Sequence, residues 1–419
     1  MTKDPVALRH LLHQNPELSG QERETARRII DFTSQFAPSV IIDRLGGYGV
    51  AVVYTFADDG PTLLFRCETD ALPIQDVNTH AHRSTVSGVS HKCGHDGHAA
   101  IVAGLAPWLS QCAFRTGRVV LLFQPAEETG KGAIAVIEDP RFGPYQPDYA
   151  FALHNVPGYR LHEVVWVADQ FSPTVQSMAI SLFGKESHAS EPENGINPAL
   201  AIAELIQAFD RLVVADPTRA DFALLTPVCI QMGQKQYGIS AGYGELHLTL
   251  RTWQPSRMNE LVGTIRQTLD ALCARYGLRS DIDWFDYFPT TINDAFCNEA
   301  ITTAAIENGF SLTKRPAPFT FGEDFGWFTQ HFRGAMFGLG AGETGPALHN
   351  PDYDFPDELI GSGGAMLRHI ITQLLVAKPA IEALLPPDTT LISPLRDLIG
   401  QPQRQTTSPT EGQVDVSAH

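Results

Sequence analysis

Val119-Val120-Leu121-Leu122-Phe123-Gln124-Pro125-Ala126-Glu127-Glu128-Thr129-Gly130 is the stretch on which the reading of the fold turns. Its first five residues are all apolar, with no alternation and only the length of a strand. That pattern fits a strand covered on both faces, as in a parallel sheet flanked by helices. Pro125 and Gly130 break the strand, and two adjacent carboxylates emerge at its end. Adjacent carboxylates repel, so they stand together where a cation lies between them or at a solvated loop tip. Two further apolar runs behave alike. Tyr149-Ala150-Phe151-Ala152-Leu153 ends in His154-Asn155-Val156-Pro157-Gly158, and Ala335-Met336-Phe337-Gly338-Leu339-Gly340 leads through a Gly-rich loop to His349-Asn350-Pro351. Sites in open α/β sheets lie at the carboxyl ends of strands, so these loops are expected to converge.

Cys93-Gly94-His95-Asp96-Gly97-His98 adds a thiol and imidazoles within six residues. Such donors prefer zinc or a similar transition ion, and such ions activate water. Ile101, Leu105 and Leu109 follow at helical spacing, which places the cluster before or in the first turn of a buried helix. Free N–H groups at a helix start favour a deprotonated Cys93. The same residues also read as a small core residue beside helix-capping polar groups.

Several blocks resemble the zinc-dependent aminoacylase/carboxypeptidase family. The nearest branch is that of the amidohydrolases, which includes hippurate hydrolases, N-acyl-amino-acid hydrolases and indole-acetyl-amino-acid hydrolases. Arg9-His10-Leu11-Leu12-His13-Gln14-Asn15-Pro16-Glu17-Leu18-Ser19 resembles the family's opening signature. The Cys93–His98 block follows in order, then Phe123-Gln124-Pro125-Ala126-Glu127-Glu128, His154, Glu323-Asp324-Phe325 and Leu348-His349-Asn350-Pro351-Asp352-Tyr353-Asp354-Phe355. The likeness covers residues from about 8 to 377. It implies metal ligands at Cys93, His95, Glu128, His154 and His349, holding two divalent ions, with zinc favoured and Mn, Co or Ni as alternatives. It implies Glu127 as general base, working on a metal-activated water whose pKa falls to roughly 7. Asp70, in Arg66-Cys67-Glu68-Thr69-Asp70-Ala71-Leu72-Pro73-Ile74, resembles the family's acid that orients a ligand. Asp96 reads either as a similar acid or as a helix N-terminal acid. His98 reads either as a residue that supports a ligand from behind or as structural, because the family pattern does not need it as a ligand.

Some positions depart from that pattern. The family's Ala-Asp-Met is Cys67-Glu68-Thr69 here, with a longer carboxylate at Glu68. Gly184-Lys185-Glu186-Ser187-His188-Ala189-Ser190 resembles a G-x-G-G-H-A-S block with both middle glycines replaced. His188 matches the histidine that polarises the substrate carbonyl in relatives, often from the other subunit. Tyr237-Gly238-Ile239-Ser240-Ala241-Gly242 stands where many members read F-N-V-I-P, so Gly238 replaces an asparagine associated with a substrate carboxylate.

The middle of the chain has a period of its own. Ser177 to Phe183 alternates as a half-buried strand, Pro198 to Val214 is an apolar-striped helix starting near Asn197, and Pro227 to Met232 is a short strand. Leu246, Leu248 and Leu250 alternate with polar residues, Ser256 caps a helix closed by Gly277, and Arg279 to Phe285 is the last strand. Strand–helix–strand–strand–helix–strand is the ferredoxin-like arrangement. The expected architecture is α/β: a catalytic domain of the zinc-exopeptidase type, discontinuous over 1–173 and 288–384, with an inserted α+β lid or dimerisation domain over 174–287. Beyond 385 the chain turns Pro-, Ser-, Thr- and Gln-rich, as an extended or disordered tail would.

Composition excludes other classes. A chain of 419 residues, 43% hydrophobic, can bury a large core. Its net charge of −17 argues against a nucleic-acid partner. No segment approaches the roughly 20 apolar residues of a membrane span, and the first residues lack the apolar core of a signal peptide. Six scattered cysteines suggest a reducing, cytoplasmic setting rather than a disulfide framework. The function expected is hydrolysis of the amide of an N-acyl amino acid or similar small conjugate, by a homodimer or higher homo-oligomer. The alternatives are a dipeptidase or carboxypeptidase of the same family, or a non-catalytic homologue that binds a ligand.

Overall fold

The computed structural model describes residues 3–376. An eight-stranded sheet organises most of them, in the order Val40–Leu45, Gly49–Thr55, Arg118–Gln124, Thr62–Glu68, Tyr149–Val156, Arg333–Gly340, Val164–Trp166, Leu312–Lys314. The four central strands, from Arg118–Gln124 to Arg333–Gly340, run parallel. They are buried on both faces, as the unbroken apolar run at 119–123 predicts. Alternate side chains serve two cores. Phe65, Leu121 and Phe151 face helices Pro5–Gln14, Arg23–Thr33, His95–Ala103, Ala295–Glu307 and Glu358–Val376, whereas Leu64, Val120 and Leu122 face Gly132–Glu138 and Gly326–His331.

The strand at 149 continues to Val156, so His154 and Asn155 sit on the strand rather than in the loop expected after it. Its pairing with Arg333–Gly340 holds to the end, with Gly338 opposite His154. Helix His95–Ala103 starts where the sequence suggests, but the chain breaks at Gly104 and Leu109 belongs to a separate short helix, Ala106–Leu109. Gly94, at the helix start, has φ +99°, and a Cβ there would lie 2.5 Å from the Asn155 side chain. Both facts require glycine.

One helix departs from the composition argument. Glu358–Val376 is long and apolar enough, by length and composition, to cross a membrane. Its apolar side is spent on the core instead: Leu359, Met366, Leu367, Ile370 and Ile371 pack into the cluster formed with Ile101 and Ile301.

A four-stranded antiparallel sheet lies in the middle of the chain, in the order Ala223–Met232, Tyr243–Thr252, Thr174–Phe183, Arg279–Phe288. Helices Ala199–Asp210 and Pro255–Tyr276 share its core, where Ile180, Leu248, Leu205 and Ile265 meet. The strand–helix–strand–strand–helix–strand order is therefore present, with longer strands than the periodicity marks. Pro227 cuts the expected edge strand short in sequence, but the ladder accommodates it with a bulge between Pro227 and Cys229. Ser256 is not the cap: Gln254 occupies that position without a side-chain bond, and Pro255 opens the helix. Gly277, at φ +67°, closes it as expected. The expected tail beyond 385, and the end of the outer domain at 384, lie outside the described residues.

Candidate metal centre

The carboxyl ends of the central parallel strands carry Glu127 and Glu128, Asp70, and His154, and the loop after the fourth carries His349. Helix His95–Ala103 adds His95, with Cys93 two residues before it. All five expected ligands meet here. Donor atoms of Cys93, His95 and His154 lie within 4.8 Å of one another, and so do those of Cys93, Glu128 and His349. Cys93 Sγ is 3.4 Å from His154 Nε2, and Glu128 Oε1 is 3.7 Å from His349 Nε2. A third set joins His95 to Glu127 and Glu128.

Hydrogen bonds set the tautomers. His95 Nδ1 donates to the Asp70 carbonyl at 3.0 Å, and His154 Nδ1 donates to the Asn155 carbonyl at 2.8 Å. Each Nε2 is then a lone pair aimed into the cluster. His95 Nε2 and Glu128 Oε1 are buried and have no hydrogen-bond partner. Buried lone pairs and carboxylates facing one another are costly unless a cation joins them. The donor set, one sulfur with imidazoles and a carboxylate, fits zinc and its neighbours.

The electrostatics agree. Burial, reinforced by Glu323 and Glu128, pushes Glu127 well above the usual carboxylate range, and burial with Asp70 takes Glu128 to about 7. Burial disfavours a charged His95, yet Cys93 and Asp70 beside it push its pKa well above the ordinary value, so the cluster calls for a positive charge at Nε2, which a metal ion would supply in place of a proton. Burial and His98 press His154 down to about 3, keeping it a neutral donor. Cys93 corrects the expectation of a thiolate stabilised by the helix start. Burial pushes its thiol well above the ordinary range, so a bound cation, not the helix, would hold the thiolate.

The remaining predicted residues divide. Asp70 takes Ser19 Oγ at 2.7 Å and the Glu128 N–H at 3.0 Å on its carboxylate, so it braces both His95 and Glu128. His98 has both nitrogens engaged, Nδ1 with Glu68 at 2.6 Å and Nε2 with Asn155, which leaves no lone pair for a metal. Glu68 therefore has a partner despite its extra methylene. Asp96 takes Arg9 Nε and His13 Nδ1, each at 2.8 Å, on one oxygen, and ties helix Pro5–Gln14 to helix His95–Ala103. His188 stands apart. It is exposed on the two-residue strand Ser187–His188, paired with Ile239, and its Nδ1 accepts from the Ser190 N–H. Gly238 is adjacent, its carbonyl accepting from the Ala189 N–H.

Sequence reasoning missed the layer beneath Glu127. Arg66 is buried, donates to Glu68 and to Asp324, forms an ion pair with Glu323 at 2.9 Å, and its Nε donates to Gln124 at 2.8 Å. Asp324 also takes the Ala133 N–H at 2.9 Å. Asn155 donates to the Tyr353 hydroxyl at 2.6 Å, extending the chain of partners from Glu68 through His98. A signal existed: Glu323-Asp324 was visible as a block, and an arginine inside an apolar strand needs buried acids.

A sequence model of the peptidase family M20/M25/M40 matches residues 64–373, and the chain belongs to that family. It is a metal-dependent amidohydrolase. Among curated relatives, an N-acetyl-L-cysteine deacetylase of Bacillus subtilis is 30% identical over 379 residues, covering 90% of this chain and 89% of the relative. An N-acetyldiaminopimelate deacetylase of Anoxybacillus flavithermus is 28% identical, covering 88% and 96%. Among solved structures, the Bacillus subtilis YXEP protein, described as a dinuclear metal-binding peptidase of the M20 family, is 26% identical. It superposes with a TM-score of 0.75 over 89% of this chain and 98% of its own.

Proposed function

We propose that this chain cleaves the amide of small N-acyl amino acids, releasing the free amino acid, with two divalent ions held by Cys93, His95, Glu128, His154 and His349. The observation that carries the reading is the meeting of these five donors around His95 Nε2 and Glu128 Oε1, both buried and without a partner. The deacetylase names of the relatives support the substrate class.

When bound, the ions would supply Lewis acidity, acidifying water and polarising the amide carbonyl. The chain's own residues would do the rest. Glu127 accepts a proton from the attacking water as its oxygen bonds to the carbonyl carbon, then gives that proton to the nitrogen as the C–N bond breaks. Glu323 and Asp324, behind it, raise its affinity for that proton. Asp70 holds His95 and the Glu128 backbone in place. His188, exposed and remote in contacts from the cluster, would serve as a carbonyl-polarising group only if supplied to another subunit. The exposed Val228, Ile230 and Met232 on the edge strand Ala223–Met232 support a homodimer built on the inserted domain of residues 174–287. All six cysteines are free, which supports a reducing, cytoplasmic setting.

The test is release of free amino acid from a panel of N-acetyl amino acids and dipeptides, after loading with Zn or Mn. Turnover of the acylated substrates alone supports the reading. Turnover confined to dipeptides selects the peptidase alternative, and none with any metal overturns catalysis.

A further inference from the structure

On the other side of Asp96 from His95 lies a second concentration of histidine that the hydrolytic reading does not use. His10 and His13 come from helix Pro5–Gln14, His80 and His82 from the loop after Ile74, and Asp354 and Asp357 from the segment before helix Glu358–Val376. His13 is fully buried. Its Nδ1 lies 2.8 Å from Asp96 Oδ2, an atom that can only accept, so Nδ1 carries the hydrogen. Nε2 has no hydrogen-bond partner. Burial disfavours a charged ring, yet Asp96 and Asp76 beside it raise its pKa, so this position calls for a positive charge that a metal ion would supply in place of a proton. The nearest charged neighbour of Nε2 is another acceptor, Asp76 Oδ2 at 3.3 Å.

The surrounding atoms repeat this condition. Neither nitrogen of His80 has a partner. His80 Nε2 lies 3.5 Å from Asp354 Oδ2. His82 Nε2 accepts from Arg9 Nη1 at 2.9 Å, so its contact with the same Asp354 oxygen at 3.1 Å has no hydrogen to share. Four carboxylates, Asp76, Asp96, Asp354 and Asp357, face only two fixed cations, Arg9 and Lys92. One side chain atom each from His13, His80 and Asp354 falls within 4.8 Å of the others. Ligands at about 2.1 Å from one tetrahedral ion stand about 3.4 Å apart, close to the His80–Asp354 spacing. Asp96–His13 is also the carboxylate–histidine pairing that orients metal-binding imidazoles.

We propose that His13, His80 and Asp354 form a further metal site that takes one divalent transition ion of the zinc type. Two neutral imidazoles and a carboxylate suit Zn, Co or Ni rather than Mg or Ca. The ion's role is structural. It joins helix Pro5–Gln14, the loop bearing His80 and the segment bearing Asp354, and it braces Asp96, the residue after His95. His82 stacks on the His80 ring at 3.8 Å and holds it in place.

The test uses the full chain, stripped with a chelator, reloaded with Zn2+ and freed of excess metal before zinc and protein are both measured. The comparison is wild type against His80→Phe, which keeps a ring for His82 to stack on. The expected result is about one ion per chain fewer in the variant, whatever the loading of the Cys93 cluster. In a Cys93→Ala background the His80-dependent ion remains, so failure of the catalytic centre and failure of this site read differently. Circular dichroism checks folding, and His80→Asn repeats the measurement if the phenylalanine variant misfolds. Equal zinc content in wild type and in a folded His80 variant overturns the proposal.

Discussion

His95 Nε2 and Glu128 Oε1 face each other across 4.0 Å, both buried and neither hydrogen-bonded. A lone pair opposed to a carboxylate inside a protein is unfavourable until a cation enters between them. Divalent metal should therefore stabilise the fold as well as serve catalysis. At a free ion concentration a hundred times its dissociation constant, the gain is about 2.7 kcal/mol. Calorimetry of chelated and zinc-loaded protein should show a higher melting temperature with metal. His349→Ala should lose part of that increment, and an increment untouched by the substitution would place the ions elsewhere.

Asp70 acts on the cluster through its neighbours. Its carbonyl fixes the His95 tautomer while its carboxylate holds Ser19 and the Glu128 backbone. Asp70→Asn keeps the carbonyl but places an amide group where two donors now point. Loss of such a support weakens metal binding by about 10- to 100-fold. Competition with a chromogenic chelator measures the constant, and an unchanged affinity would remove Asp70 from this role.

Glu22, not itself one of the five donors, links pH to stability beneath the loop that carries Glu127 and Glu128. It is buried, accepting the Gly20 N–H at 2.9 Å and the Ala126 N–H at 2.8 Å, and burial pushes its pKa from 4.5 up to about 6. The folded state therefore holds the proton more tightly than the unfolded state. This contribution is full below pH 4.5, declines as pH rises to about 6, and is flat beyond, a loss of about 2 kcal/mol. Glu22→Gln retains the accepting oxygen without the charge. Urea unfolding at pH 7.5 should show the variant more stable by about that amount, with the advantage gone near pH 4.5. A variant less stable than wild type at pH 7.5 would mean that the ionised carboxylate is needed.

Gly97 lies against the Phe355 ring, and a Cβ there would come within 2.4 Å of it. Gly97→Ala should cost about 1–3 kcal/mol by overpacking, since the ring is buried among the core helices. Denaturant unfolding of the metal-free protein separates this loss from any change in ion binding. No loss would show that the ring moves aside freely.

Much of this was legible in the sequence because its signals are local. The unbroken run 119–123 announces a strand covered on both faces, and the alternation of Leu246, Leu248 and Leu250 announces a half-buried one. The five donors stand out as residue types, but their selection as ligands, with Glu127 as base and His98 set aside, came from the resemblance to a known family. What escaped depends on partners far apart in the chain. Arg66 meets Asp324 across 258 positions, and Arg9 meets Asp354 across 345. Periodicity carries no information about such pairs. Helix and strand ends slipped for a related reason: Pro227 reads as a strand end until a bulge and an exposed edge make room for it.

Glu127 carries the central claim, being buried beside Glu323 and Glu128 with Asp324 behind it. The most direct measurement is turnover of an N-acetyl amino acid by Glu127→Gln alongside its metal content. Loss of a positioned acid–base group should slow turnover by about 10²- to 10⁴-fold, while the ion content stays at the wild-type value. Wild-type turnover with metal retained would contradict the account, because the proton would then be moved by some other group.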